Sequence, residues 1–181
     1  MQTLPTPPPE RWTLSTFPKD APTRAELIGG RLVWCAQTGW HMHVTSELQR
    51  LLQVQAPDTF AVLYRMAIKL DERTAPEPDL SFRHAHAFDW DKSVLLPDEI
   101  ALVAEVVTPG SEEQDRYVKP IIYAAMGIPT FWLVERGADD APIVHEHQRF
   151  GGVYQLKRTH IGRLKTEVPF PIDIPLAAPK P

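Results

Sequence analysis

Short apolar runs punctuated by glycine and proline dominate the chain, and their spacing shifts from strand-like to helical and back. In AELIGGRLVW (25–34) two apolar runs flank Gly29-Gly30, a dipeptide that takes the positive φ angles of a tight turn, which predicts a hairpin. From Trp40 to Gln53 the positions Met42, Val44, Leu48, Leu51 and Leu52 fall mostly at helical spacings, and Ala56-Pro57 ends the run. FAVLYRMAIKL (60–70) alternates as a strand and PDLSF (78–82) holds a short second one. ALVAEVV (101–107) is apolar and β-branched almost throughout, as a central strand covered on both faces must be.

After Thr108-Pro109-Gly110, the segment SEEQDRYVKPIIYAAMGIP (111–129) predicts a helix with Ile121, Ile122, Ala125 and Met126 on one face and Gly127 as its stop. Pro120 is poorly placed for a helix interior, so the regular helix is expected to start near Tyr117, with Asp115 and Lys119 close to its N-terminus. TFWLVE (130–135) predicts a buried strand, and IVHEHQRF and VYQLKRTH predict a closing hairpin around Gly151-Gly152. The order is hairpin, helix, three strands, helix, strand, hairpin, with no internal repeat.

Composition narrows this picture. The 181 residues suit one domain, and 43% hydrophobic with 23% charged residues is the balance of a packed chain. Six prolines within the first 22 residues predict a flexible arm over 1–22, leaving 23–181 as the single domain. The one cysteine, Cys35, excludes an internal disulfide, and no apolar stretch is long enough to span a bilayer. The N-terminus lacks a basic start followed by an apolar stretch, so the expected location is cytoplasmic. A net charge of −4 argues against a generally basic nucleic-acid coat but leaves room for one basic groove.

Glu105 is the only charge within ALVAEVV, where an unpaired carboxylate would be costly, so a positive partner is expected beside it. A plain salt bridge or a solvent-exposed strand end explains Glu105 equally well. Asp79 opens a short strand after Pro78, although Pro-Asp is also common in turns. Carboxylates on neighbouring strands are a direct way to offer oxygen ligands to a hard divalent cation. Arg149, Lys157, Arg158, Arg163 and Lys165 lie in a stretch (148–165) without an acidic residue and are the candidate nucleic-acid contacts, with Tyr154 as a stacking platform. The plainer reading is a solvated hairpin face.

Pro78-Asp79, then Glu105, then Asp115-Arg116 and Lys119 on the next helix resemble, in order, the PD-(D/E)xK nuclease superfamily. Within it, AELIGGRLVW, HMHVTSELQRLL, EPDLSF, ALVAEVVTPGS and DRYVKPIIYAAMGIPTFWLVE resemble the Uma-two family of restriction endonucleases over residues 25–175. The resemblance implies an α/β (α+β) fold with a restriction-endonuclease-like core: a mixed central β-sheet flanked by helices, with extra N-terminal and C-terminal hairpins. It implies an endonuclease hydrolysing phosphodiester bonds, with DNA as the expected substrate, and a homodimer is compatible with cutting a duplex. Asp79 and Glu105, helped by the Val106 carbonyl, would hold magnesium (Mg2+), with manganese as a substitute, and Lys119 would orient or activate water. This last role departs from the superfamily pattern, because the lysine expected two residues after the glutamate is Val107 here. Asp115, His41 and Glu26 are candidates to support the site, against plainer readings as helix caps and an exposed hairpin residue.

Two other classes stay open on sequence alone. One is a catalytically inactive nucleic-acid-binding or regulatory protein with a nuclease fold. The other is a metal-binding, cupin-like β-barrel, suggested by the pairs His41/His43, His84/His86 and His145/His147, which would share a face on strands.

Overall fold

The computed structural model describes residues 12–17, 25–34, 36–85 and 91–180. Its centre is β7 (Ile100–Val106), whose seven residues are all buried, as its apolar run predicts. β7 pairs antiparallel with β5 (Leu80–His84) and parallel with β8 (Thr130–Arg136). β3 (Phe60–Tyr64) closes one edge. β9 (Pro142–Phe150) and β10 (Val153–Ile161) extend the other as an antiparallel hairpin, giving a mixed six-stranded sheet ordered β10-β9-β8-β7-β5-β3. The hairpin of β1 (Glu26–Ile28) and β2 (Arg31–Val33) stands apart, turning through Gly29 and Gly30 at φ 58° and 76°.

Alternation along the strands divides the core in two. Leu102, Ala104 and Val106 of β7 pack with Leu80, Phe82, Trp132 and Val134 under α1 (Gly39–Gln55), which buries Trp40, Val44, Leu48 and Leu52. Each fully buried leucine here contributes roughly 1.5–3 kcal/mol. Val103 and Phe131 point to the opposite face and meet Tyr123 and Ile128 from the second helical segment and the loop after it. Glu105 shares the parity of Val103 and therefore emerges on that second face.

The structure corrects several expectations. FAVLYRMAIKL is two strands, because Arg65 at φ 46° breaks the run; β4 (Ala67–Ile68) leaves the main sheet and pairs with β6 (Val94–Leu95). The second helix begins ahead of Tyr117: a π-helical stretch, Gln114–Val118, leads into α2 (Lys119–Ala125). The wider π turn sends the Lys119 N–H to the Gln114 carbonyl, which relieves the clash that Pro120 would make in a uniform α-helix. The expected apolar face is also displaced. Ile121 is 72% exposed, while Lys119, Tyr123 and Ala124 are buried. A further hairpin, β11 (Arg163–Thr166) with β12 (Ile172–Pro175), brings Leu164, Ile172 and Ile174 into the α1-side core.

Within the expected arm, Leu14–Thr16 forms a 3-10 turn, and the Trp12 and Leu14 N–H groups donate to Gly30 and Glu72 carbonyls. Residues 1–11 and 18–22 of that arm lie outside the described residues, as do Cys35 and His86. No helix among the described residues is long and apolar enough to cross a membrane.

Gly127 ends α2 at φ 85°, with its N–H donating to Ala124 and the Ile128 N–H to Tyr123. The left-handed conformation costs an alanine about 1–2 kcal/mol. Gly127→Ala should lower the unfolding free energy by about that amount in denaturant titration; an unchanged midpoint would show the helix end relaxing freely.

Candidate active site

The site lies where β5 and β7 meet the helical segment 112–125. The β5–β7 register pairs Leu80 with Ala104 and Ser81 with Val103. Asp79 directly precedes Leu80 and Glu105 directly follows its partner Ala104, so the two carboxylates leave this register at the same end of the strand pair and line one cleft. The two carboxylates singled out in the sequence are therefore brought side by side by strand pairing. The Val106 N–H donates to Asp79 Oδ2 at 2.9 Å, and His41 Nε2 lies 2.9 Å from the same oxygen. His41 reaches it because Thr38 caps α1, accepting the His41 N–H at 3.2 Å and fixing the first turn over the sheet end.

Lys119 enters the same cleft and is only 5% exposed. Its Nζ donates to Glu105 Oε2 at 3.1 Å and Glu26 Oε1 at 3.0 Å, and lies 3.2 Å from Asp115 Oδ1. Positions 115, 119 and 123 follow one another at helical spacing, so Asp115, Lys119 and Tyr123 form a polar stripe facing the sheet. The Tyr123 hydroxyl donates to Glu105 Oε1 at 2.5 Å, and Ser111 donates to Asp115 Oδ2. Glu26 Oε2 accepts the Glu77 N–H at 3.1 Å, so Glu26 is held inward and is not an exposed hairpin residue. Asp115 likewise belongs to the cleft.

Four carboxylates and one ammonium share this buried space. Burial pushes the Glu105 carboxyl well above the usual range, against the pull of Lys119, and Asp115, Asp79 and Glu26 add to the rise. Burial likewise raises Glu26 and Asp115. For Lys119 burial acts downward, but Glu105, Glu26, Asp115 and Asp79 outweigh it and hold the ammonium well above its ordinary value. Lys119 is thus a permanent cation and hydrogen-bond donor at neutral pH.

The Glu105 shift has a definite sign in stability. A raised folded-state value favours the native state fully below the unfolded value near 4.5, and that advantage is lost as pH rises through the folded value. Without metal, Glu105→Gln should therefore gain stability relative to the unsubstituted chain as pH rises from about 4 to 8. Parallel unfolding curves for the two proteins across that range, measured with a chelator present, would refute the shift.

Gln37, Arg65, Thr108 and Gln114 also line the cleft, whose volume is about 50 Å³. None was singled out from the sequence. Gln37 Oε1, Thr108 Oγ1 and Gln114 Oε1 are buried without a hydrogen-bond partner. Among the described residues no group of three or more His, Cys, Asp or Glu side chains is arranged to hold a metal by itself. The donor set nonetheless suits a hard cation: carboxylates in excess of positive charge, with unpaired neutral oxygens around them. Magnesium commonly takes one or two carboxylates and keeps several waters.

The basic residues of 148–165 do not converge on this cleft. Arg149 donates to the Ala124 carbonyl at 2.7 Å, and Arg163 is engaged by Asp173. Lys157, Arg158 and Lys165 line a separate groove with Glu146 and Glu167. Tyr154 is no free stacking platform, since its hydroxyl donates to Ile128 at 2.8 Å and its ring packs 5.4 Å from Phe131. The histidine pairs disperse as well: His41 belongs to Asp79, His145 lies against Thr159 and Glu135, and His147 packs on Phe131. With an open mixed sheet in place of a barrel, the cupin-like reading is overturned.

A crystal structure of a putative nuclease belonging to DUF820 from Anabaena variabilis superposes with a TM-score of 0.65, covering 87% of this chain and 89% of that one at 15% identity. That likeness is one of fold. No curated protein matches the chain. A family model described as Uma2, putative restriction endonuclease, matches residues 10–177. Nearly the whole sequence lies within that match, and the chain belongs to the Uma2 family of putative restriction endonucleases.

Proposed function

We propose that the protein is a magnesium-dependent endonuclease that hydrolyses phosphodiester bonds of DNA at the Asp79, Glu105 and Lys119 cleft. The reading is carried by one observation: with Val107 in the usual lysine position, the ammonium of Lys119 comes from the next helix to within 3.1 Å of Glu105. Asp79, Glu105 and the Val106 carbonyl would hold the metal, and manganese would serve in its place. When bound, such an ion stabilises charge on the scissile phosphate and acidifies water.

The chain's own groups have distinct parts in this reading. Lys119, kept charged by its three carboxylate neighbours, does not act as the base; its three protons face Glu105, Glu26 and Asp115, and it would meet the attacking water or a phosphate oxygen by exchanging one of these contacts. His41 and the Val106 N–H hold Asp79 Oδ2 in place, while Tyr123 holds Glu105 Oε1. Arg149, Lys157 and Arg158 are exposed cations available to the nucleic-acid backbone outside the cleft.

The test is cleavage of plasmid, linear DNA and RNA with magnesium, manganese or chelator. Cleavage of DNA with either metal and none with chelator is expected. A folded protein that binds DNA yet cuts no substrate under any condition would favour the inactive binding module, a reading supported by the saturation of Lys119 with carboxylates.

A further inference from the structure

We propose that Thr108, Gln37 and Gln114 form an outer shell of oxygen acceptors that holds the water ligands of the cleft's divalent cation, so that the ion binds with at least half of its water retained. This rests on the nuclease reading above and specifies how that site takes its metal.

The direct ligands are few. Both oxygens of Glu105 are already hydrogen-bonded, by Lys119 and Tyr123. Asp79 Oδ2 is taken by the Val106 N–H and His41. An ion demanding six close oxygens cannot complete its coordination from these groups, which agrees with the absence of a three-residue ligand set among the described residues.

What surrounds these carboxylates is a set of unmatched acceptors. Thr108 is 4% exposed, lines the cleft and has its Oγ1 buried without a partner. Its backbone is already satisfied, since its N–H donates to Ser111 Oγ and its carbonyl accepts the Ser111 N–H, so only the hydroxyl is left over. Gln37 Oε1 precedes α1 and Gln114 Oε1 opens the π-helical stretch; both line the same cleft and are buried unpaired. Three oxygens from three separate segments thus seek donors in one place. A buried acceptor left unmade is costly, and water polarised by a divalent ion is a strong donor. The cleft volume of about 50 Å³ admits several waters, each needing roughly 10–15 Å³.

Manganese titrated into the protein and followed by electron paramagnetic resonance tests this without reference to cleavage. Line broadening by 17O-labelled water counts the retained ligands, and at least three are expected. Thr108→Val and Gln114→Leu should each weaken manganese binding by about tenfold, the scale set by outer-shell partners elsewhere. Thr108→Ser, which keeps the hydroxyl, should bind like the parent. The isosteric valine and the separate glutamine site ensure that misfolding of one variant leaves the other decisive. Tight manganese with two waters or fewer, or unchanged affinity in both variants, would overturn the outer shell alone. No manganese binding by the parent protein would overturn the metal-dependent reading itself.

Discussion

Lys119→Met should lower the unfolding free energy by about 3–5 kcal/mol at neutral pH without metal, the usual cost of stripping one partner from a buried ion pair. Methionine roughly preserves the volume, so the loss isolates the charge. Glu105, Glu26 and Asp115 would be left facing one another where the ammonium lay within 3.2 Å of each. Two further results are expected of the same variant. Its deficit should shrink toward acid pH, where the raised carboxyls take up protons. Addition of Glu105→Gln should restore part of the stability, because the two residues interact directly. Chemical denaturation of the two single variants and the double variant measures all three. A loss under about 1 kcal/mol, the worth of a surface pair, would mean that water reaches the cluster freely.

Asp79→Asn should reduce the cleavage rate at saturating metal by on the order of 10²–10³, the effect of removing one preorganised charge-stabilising group. The amide oxygen can still accept the Val106 N–H, so the strand end should hold and thermal unfolding should change little. His41→Ala acts only through Asp79 and should cost less, roughly 10–100-fold in metal affinity or rate. Single-turnover cleavage across a metal titration separates the two. Equal losses from both substitutions would make His41 more than a positioning residue, and full activity in Asp79→Asn would remove Asp79 from the mechanism.

Much of the framework was legible from local pattern. The β-branched run at 101–107, the glycine turns of both hairpins and the helix before Ala56-Pro57 all appear where expected, because strand alternation, turn geometry and helix termination are short-range effects. The hairpin of β11 and β12 was missed although Leu164, Ile172 and Ile174 alternate with polar residues, a signal obscured by proline on either side. The 60–70 run failed as one strand because a single positive φ at Arg65 redirects it, and side-chain alternation carries no record of that angle. The basic stretch read as one surface disperses in space, since hairpin pairing and Asp173 assign its members to different neighbours.

The helix after β7 shows most clearly where local reading stops. Hydrophobic periodicity chose the side of Ile121, yet the sheet buries the side of Asp115, Lys119 and Tyr123. That inversion follows from Glu105. A carboxylate on an apolar strand needs donors over it, and the helix turns its polar stripe inward to supply them. The sequence by itself placed a carboxylate on an apolar strand, pointed to a cation beside it and excluded Val107 as the source. Only the tertiary structure decided that Lys119 fills the need together with Glu26 and Asp115, because strand register and helix rotation bring together groups separated by as many as 93 residues.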